Sequence, residues 1–226
     1  MRLSIIIPVY NEEKTVGVII NKVKNLELPI EKEIIVVDDG SKDKSYEIAK
    51  KIKGIRLLRH EKNKGKGAAV KTGLKNARGD IVIIQDADLE LDPEQIPKII
   101  QPIIEKKADV VYGSRELEGD GKKRSPLFYF GGKFVTFLTN LLYKTRLTDE
   151  PCGYKAFRTE ILKSIKIDSD RFEWEPEVTA KIAKRKIMIY EVPVSSTSRS
   201  TEEGKKLKRR DGLKAVLTLL KYKFVD

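Results

Sequence analysis

Asp80–Glu90, DIVIIQDADLE, is the stretch whose reading decides the fold. Ile81, Val82, Ile83 and Ile84 form a short β-branched run, the composition of a buried strand. Gln85, Asp86, Ala87, Asp88, Leu89 and Glu90 follow directly. Acids two residues apart project to one side of an extended segment. Three carboxylates at a strand's C-terminal edge repel one another unless a cation lies between them. Hard oxygen ligands suit Mg²⁺ or Mn²⁺, and Mg²⁺ commonly joins one or two carboxylates to substrate phosphates. Asp86, Asp88 and Glu90 are therefore the candidate metal ligands. A solvated acidic turn capping a helix near Pro93 is the alternative that these residues alone leave open.

Working outward, the same pattern repeats. Leu3–Val9 reads as a buried strand, and Val16, Ile19, Ile20 and Val23 mark a helix after it. Glu33–Val37 is a second strand, ending in Asp38-Asp39-Gly40-Ser41, and Ile55–Leu58 a third. Lys62–Gly67, KNKGKG, is a basic glycine loop before a helix over Ala68–Ala77. Beyond the central strand, Pro97 and Pro102 argue against one regular helix between Pro93 and Ile104. Ala108–Gly113 is another strand. Strand–helix alternation predicts a parallel sheet with helices on both faces, which binds ligands at the carboxyl ends of its strands. The polar signals fall at those ends: Tyr10 to Glu12, Asp38-Asp39, Asp86 to Glu90 and Ser114-Arg115.

The chain has 226 residues, a net charge of +12 and one cysteine. The length suits one large domain or two small ones. The charge points to anionic partners: nucleotides, an acidic membrane surface or nucleic acid. Lone Cys152 rules out an intrachain disulfide and fits a reducing, cytoplasmic setting. No leader segment is expected, and no apolar run reaches the roughly 20 residues that span a bilayer. Nucleic-acid binding is the remote alternative, since the basic residues are dispersed and no recognition motif is present.

Past Arg115 the character changes. Pro126–Tyr143 places Phe130, Phe134, Phe137, Leu138, Leu141 and Leu142 at helical spacing, as a core helix or as one lying in a membrane interface. Helices near Thr159–Ile165 and Glu175–Arg185 and a strand at Met188–Val194 come next. Ser195–Lys206 reads as polar and flexible. A basic cluster runs from Lys205 to Arg210, and Leu213, Val216, Leu217 and Leu220 mark one face of a last helix. His60 reads as a surface residue.

With these segments quoted, the chain resembles the family 2 glycosyltransferases of GT-A fold. The carrying motifs are IIIPVYNEE (Ile5–Glu13), VVDDGSKD (Val36–Asp43), NKGKGAAV (Asn63–Val70), DADLE (Asp86–Glu90) and GSR (Gly113–Arg115). DEPCGYKAFR (Asp149–Arg158) and EVPVSSTSRSTEEGKK (Glu191–Lys206) are similar to the dolichyl- and polyprenyl-phosphate sugar synthases. The resemblance implies a three-layer α/β/α, Rossmann-like domain with a mostly parallel sheet over residues 1–200. Residues 1–115 would bind the nucleotide sugar and 116–200 the acceptor. Residues 201–226 would form a basic segment and an amphipathic helix on the domain or membrane surface. It implies inverting transfer of mannose or glucose, from GDP-mannose or UDP-glucose, to a lipid phosphate at the cytoplasmic face of the membrane. A soluble or polysaccharide hydroxyl acceptor is the alternative.

By the same resemblance, Pro8, Tyr10, Glu12, Val37 and Asp39 hold the nucleoside. Asp86, Ala87, Asp88 and Glu90 surround a Mg²⁺ or Mn²⁺ ion and the diphosphate. Arg115 reaches phosphates or acceptor, and Arg199 and Lys205 match the basic pair of an acceptor loop. Asp88, Arg115 and Arg199 are thus the catalytic candidates. The chemistry is consistent: guanidinium groups pair bidentately with phosphate. A phosphate monoester is largely a dianion at neutral pH and attacks without a protein base, whereas a hydroxyl requires one. Asp149 is the base candidate, with a plain loop carboxylate as its other reading.

Overall fold

The structure, a computed structural model, describes residues 1–119, 125–197, 206 and 209–225. Seven strands form one sheet: β1 (Arg2–Val9), β2 (Glu31–Asp38), β3 (Arg56–Arg59), β4 (Ile81–Ile84), β5 (Val110–Ser114), β6 (Lys155–Arg158) and β7 (Ile189–Pro193), in the order β3-β2-β1-β4-β6-β5-β7. Every pairing is parallel except those of β6, which runs antiparallel to both β4 and β5. β4 and β5 therefore share a direction, and the ends of β1, β2, β4 and β5 open on one edge. The strand order turns back at β1, with β2 on one side and β4 on the other, which is where such sheets bind ligands.

Alternation along the strands builds the three layers. Ile5, Ile7, Ile34, Val36, Ile81 and Ile83 face one cluster, with Val16, Ile19, Ile20 and Val23 of α1 (Val16–Asn25) and Ile96, Ile99, Ile100 and Ile103 of α4 (Ile96–Ile104). Ile6, Val82, Ile84, Val110 and Tyr112 face the other, with Val70 and Leu74 of α3 (Lys66–Asn76) and Trp174, Val178 and Ile182 of α8 (Trp174–Lys184). Short helices α2 (Ser45–Lys50), α5 (Arg115–Glu118) and α7 (Thr159–Ser164) complete the connections.

The Pro93–Ile104 segment is not one regular helix, but its prolines are accommodated in a short turn and a helix. Pro93–Gln95 is a 3₁₀ turn, Pro97 sits in the first turn of α4 where no N–H partner is needed, and Pro102 falls just before the helix ends. β6 was not expected at all, since KAFR is too short to show alternation. The Ser195–Lys206 loop lies outside the described residues except for 195–197 and Lys206.

The two apolar helices also divide differently. α6 (Pro126–Tyr143) and α9 (Arg209–Phe224) pack on each other and on α8 through Val135, Leu138, Leu142, Ala180, Val216, Leu219 and Tyr222. Leu138 and Leu142 thus point inward. Phe130, Phe134, Phe137 and Leu141 of α6 and Leu213, Leu217, Leu220 and Phe224 of α9 are exposed. No described helix is long and apolar enough to cross a membrane.

Candidate functional site

The strand ends deliver the sequence-named residues to one edge. Pro8 and Val37 are register partners on β1 and β2, and Val37 is fully buried in a small cluster with Ala69. Just beyond, Asp39 is buried and heavily engaged. Its Oδ1 accepts from the Lys64 N–H at 2.9 Å and lies 2.7 Å from His60 Nδ1, and its Oδ2 accepts from the Gly65 N–H at 2.7 Å. His60 is no surface residue. Its ring bridges Asp39 and the Thr72 hydroxyl, 2.8 Å from Nε2, and is buried.

Glu12 is also buried. Its Oε2 accepts from the Thr15 hydroxyl at 2.9 Å, and its Oε1 lies 2.6 Å from the Lys206 ammonium. Lys206 donates further to the carbonyls of Tyr10 and Asn11. A residue that sequence reasoning passed over thus sits on the loop named for the nucleoside. Arg199 and Lys205, the basic pair named instead, lie outside the described residues.

The acidic segment is a turn, not an extended strand. Leu89 adopts a left-handed φ of 63°, and Asp88 Oδ1 accepts from the Glu90 N–H at 3.0 Å. Turning breaks the two-residue alternation, so Asp86, Asp88 and Glu90 do not gather as a three-carboxylate set. Among the described residues no three His, Cys, Asp or Glu side chains converge to hold a metal. Ala87 faces the core. Asp86 instead meets Lys66, whose Nζ lies 2.8 Å from Oδ1 and 3.0 Å from Oδ2. The same ammonium is 2.8 Å from Glu175 Oε1. Burial pushes the Asp86 carboxyl up to about 6, against the pull of Lys66 and with a push from Asp88. Burial also opposes ionisation of Glu175, but Lys66 and Lys155 outweigh it and hold that carboxyl below its ordinary range.

Lys155 begins β6, and its register with Ile84 and Tyr112 puts it at the same edge. The side chain is fully buried. Its Nζ donates to the Glu150 carbonyl at 2.6 Å and the Cys152 carbonyl at 2.7 Å, stands 3.9 Å from Glu175 Oε2, and lies over the Tyr112 ring. The preceding turn crowds the acids: a Cβ on Gly153 would stand 2.6 Å from Asp86 Oδ2. The Tyr154 hydroxyl lies 2.7 Å from both Gln85 Oε1 and the Asp92 carbonyl.

Arg115, at the end of β5, grips Asp149. Nε and Nη2 donate at 2.6 and 2.8 Å to the two carboxylate oxygens, and the Arg115 backbone N–H donates at 3.1 Å. Asp149 is 2% exposed. Glu191 of β7 receives the backbone N–H of Thr148 at 2.8 Å and of Asp149 at 3.1 Å, fixing the turn that presents Asp149. Beside this pair, Leu89, Glu90, Asp92, Gln95 and Ser195 to Thr197 line a cleft of about 240 Å³.

Sequence reasoning missed Lys66, Glu175, Lys155 and Lys206. Lys66 carried a signal, the glycines on either side of it. Glu175 carried none, being 109 residues away from Lys66.

The family model described as Glycosyl transferase family 2 matches residues 4–166. A UDP-N-acetylglucosamine–dolichyl-phosphate N-acetylglucosaminyltransferase of Methanococcus voltae is 35% identical over 216 residues, covering 86% of this chain and 85% of that protein. A dolichol-phosphate mannosyltransferase of Pyrococcus furiosus is 32% identical, covering 91% of this chain and 59% of that one. Among solved structures, glucosyl-3-phosphoglycerate synthase from Mycobacterium tuberculosis, in complex with Mn²⁺, UDP and phosphoglyceric acid, superposes with a TM-score of 0.77. It is 22% identical and covers 99% of this chain and 79% of that one, a likeness of fold. Another complex of that enzyme holds Mg²⁺ and UDP.

Proposed function

The chain belongs to glycosyl transferase family 2 and is a glycosyltransferase; from that premise we propose that it transfers a hexose, with inversion, from a nucleotide sugar to a polyprenyl phosphate at a membrane surface. The donor is GDP-mannose or UDP-glucose, and residues 1–115 bind it while 116–200 receive the acceptor. Residues 201–226 carry the basic segment and the helix that lies against the domain.

The observation that carries the acceptor is the Arg115–Asp149 pair. Asp149, the base named from sequence, has both carboxylate oxygens on one guanidinium and a third bond from the Arg115 backbone. A carboxylate held that way is a poor proton acceptor. An acceptor that arrives already ionised, such as a phosphate monoester, does without it. The names of the relatives, dolichyl-phosphate transferases from two organisms, support the same class.

The surface supports a lipid-borne acceptor. Leu127, Phe130, Phe134, Phe137 and Leu141 recur every three or four residues on α6, all at least 50% exposed. The exposed residues of α9 repeat the spacing alongside. α6 contains no acidic residue, and Lys144, Lys214, Lys221 and Lys223 accompany the two helices. An apolar stripe flanked by lysines suits an anionic bilayer surface at the cytoplasmic face, entered shallowly and not spanned.

The residues also fit a divalent metal. Mg²⁺ or Mn²⁺ needs only one or two protein carboxylates when a diphosphate supplies further oxygens, and Asp86 and Asp88 are of that kind. Bound there, the ion would neutralise charge on the leaving nucleoside diphosphate. Around it, Pro8, Tyr10, Glu12, Val37 and Asp39 shape the nucleoside end, Glu90 adds negative charge at the metal's edge, and Arg115 presents its guanidinium to phosphate. Arg199 and Lys205, outside the described residues, are the basic pair proposed to meet the acceptor phosphate.

The test is a screen of GDP- and UDP-sugars against a polyprenyl phosphate with Mg²⁺ or Mn²⁺, products being identified by mass. A glycosyl-phosphate lipid is expected. Transfer to a soluble or polysaccharide hydroxyl, with none to the lipid phosphate, refutes the reading.

A further inference from the structure

Two glycines flank Lys66, and both are required by close packing. Gly65 has a φ of 114°, and a Cβ there would stand 2.4 Å from the Asp170 carbonyl oxygen. On Gly67 a Cβ would meet the Ser169 carbonyl at 2.6 Å and Trp174 Cβ at 2.9 Å. The Ala68 N–H donates to the Asp170 carbonyl at 2.9 Å, closing the contact. This approach presses the start of α3 onto the start of α8, and so places Lys66 beside Glu175 as well as Asp86.

The resulting cluster sets Asp86 and Glu175 against Lys66 and Lys155, with Asp88 acting on Asp86 and buried Glu150 facing Lys155 and Glu175. The two lysines are not equivalent. Lys155 is anchored by two carbonyls at 2.6 and 2.7 Å. Lys66 makes only ion-pair contacts in the cluster, to Asp86 at 2.8 and 3.0 Å and to Glu175 at 2.8 Å. On the Gly153 side Asp86 has no spare room, since a Cβ there would stand 2.6 Å from its Oδ2. A divalent cation arriving at Asp86 meets an ammonium already there. Like charges in a partly desolvated site repel each other strongly. The long lysine stem can give way where the carboxylate cannot.

We infer that Lys66 is the resident cation of the acidic site, handed from Asp86 to Glu175 when a divalent metal and a nucleoside diphosphate arrive. Glu175 is then a positioning residue that sets metal affinity from the acceptor half of the chain. The inference rests on the metal-assisted reading of the donor site above.

The two single substitutions have opposite expected signs. Lys66→Met removes the competitor and tightens Mn²⁺ binding by about tenfold; Glu175→Gln removes the receiver, leaves Lys66 on Asp86 and weakens binding by about tenfold, both within the range of ordinary coupling between sites. The probe is Mn²⁺ titrated with saturating UDP, and separately with GDP, with free Mn²⁺ read by electron paramagnetic resonance. Circular dichroism melts check folding. A loss of charge that merely disturbs structure weakens binding in both variants. Weaker binding in Lys66→Met, or unchanged or tighter binding in Glu175→Gln, overturns the inference. If Lys66→Met does not fold, Glu175→Gln decides alone. Wild-type protein that binds no Mn²⁺ with either nucleotide overturns the hand-over and the metal together. Opposite signs in a protein that glycosylates no lipid phosphate keep the hand-over and sink only the acceptor.

Discussion

Replacing Phe130, Phe134 and Phe137 together by alanine strips the exposed ridge of α6 without touching its packed side. The three are 68%, 55% and 61% exposed. A phenylalanine offers roughly 200 Å², so about 120 Å² of each lies open. At about 25 cal/mol per Å² that is about 3 kcal/mol per ring for complete burial. Alanine keeps part of this and an interfacial helix sinks only part way, leaving about 1 kcal/mol per ring. The triple variant should bind anionic vesicles about 100-fold more weakly, since 1.4 kcal/mol is a factor of ten. The assay is co-sedimentation with phosphatidylcholine vesicles containing phosphatidylserine, at low and high salt. Attachment should also weaken with salt, as basic residues add about 1 kcal/mol each near an anionic leaflet. The melting temperature should barely move, because exposed side chains contribute little to the folded state. Binding unchanged within about twofold refutes the argument. So does a wild-type dimer that the substitutions dissociate, which would make the ridge a contact between copies.

The remaining expectations concern the site. Asp88→Asn should abolish transfer and metal-dependent donor binding while leaving the melt unchanged; full activity of the wild type in chelator removes the metal from the mechanism. Asp149→Asn strands a buried guanidinium, which costs about 3 kcal/mol and should lower the melting temperature by about 6–12 °C for a chain of this size. Below that temperature, transfer at neutral pH should fall less than the roughly 100-fold expected on losing a general base. Mn²⁺–UDP affinity should fall as pH drops through about 6, where the partly buried Asp86 carboxyl takes up its proton. The stability effect has the opposite sign: a carboxyl raised from 3.8 to about 6 favours the folded state as pH falls between those values, which a melt series with pH checks. Cys152, fully buried and pushed up to about 11 by that burial, should resist alkylation at pH 8 until the protein is denatured.

Strand positions were legible where burial on both faces leaves an uninterrupted apolar run, as at Leu3–Val9 and Ile81–Ile84. β6 was not. Lys155 and Arg158 bracket only two apolar residues, and nothing local says that Lys155 will be solvated by carbonyls instead of water. The acids at Asp86, Asp88 and Glu90 were legible as a group but not in geometry, because the left-handed Leu89 is unforeseeable in a residue with a Cβ. On α6, spacing located the helix but not its two apolar stripes. Which stripe is covered depends on α9, some seventy residues further on, and on α8 between them. Glu175 illustrates the same limit: a charge 109 residues from its partner leaves no periodic trace.

The antiparallel strand brings residues of the second half of the chain to the edge where β4 and β5 end. A parallel strand in place of β6 would begin at the opposite edge of the sheet, far from the acids. Because β6 runs backwards, the turn before it, Asp149–Tyr154, arrives at the edge where β4 and β5 end. One short segment then meets every part of the chemistry. Asp149 orients Arg115, Gly153 closes on Asp86, Tyr154 braces Gln85 and the Asp92 carbonyl, and Lys155 reaches toward Glu175. On the proposed role of Arg115, a substrate phosphate drawing on its guanidinium would pull on the turn that also confines Asp86. Donor and acceptor binding should be coupled through this turn, and Gly153→Ala tests it. The added Cβ must displace the Asp86 carboxylate, so nucleotide affinity in the presence of Mn²⁺ should fall at least tenfold, within the usual range of coupling between neighbouring groups. Affinity measured in chelator should change little. An equal loss with and without metal would mean that the turn supports the nucleotide pocket as a whole and not the acid beside it.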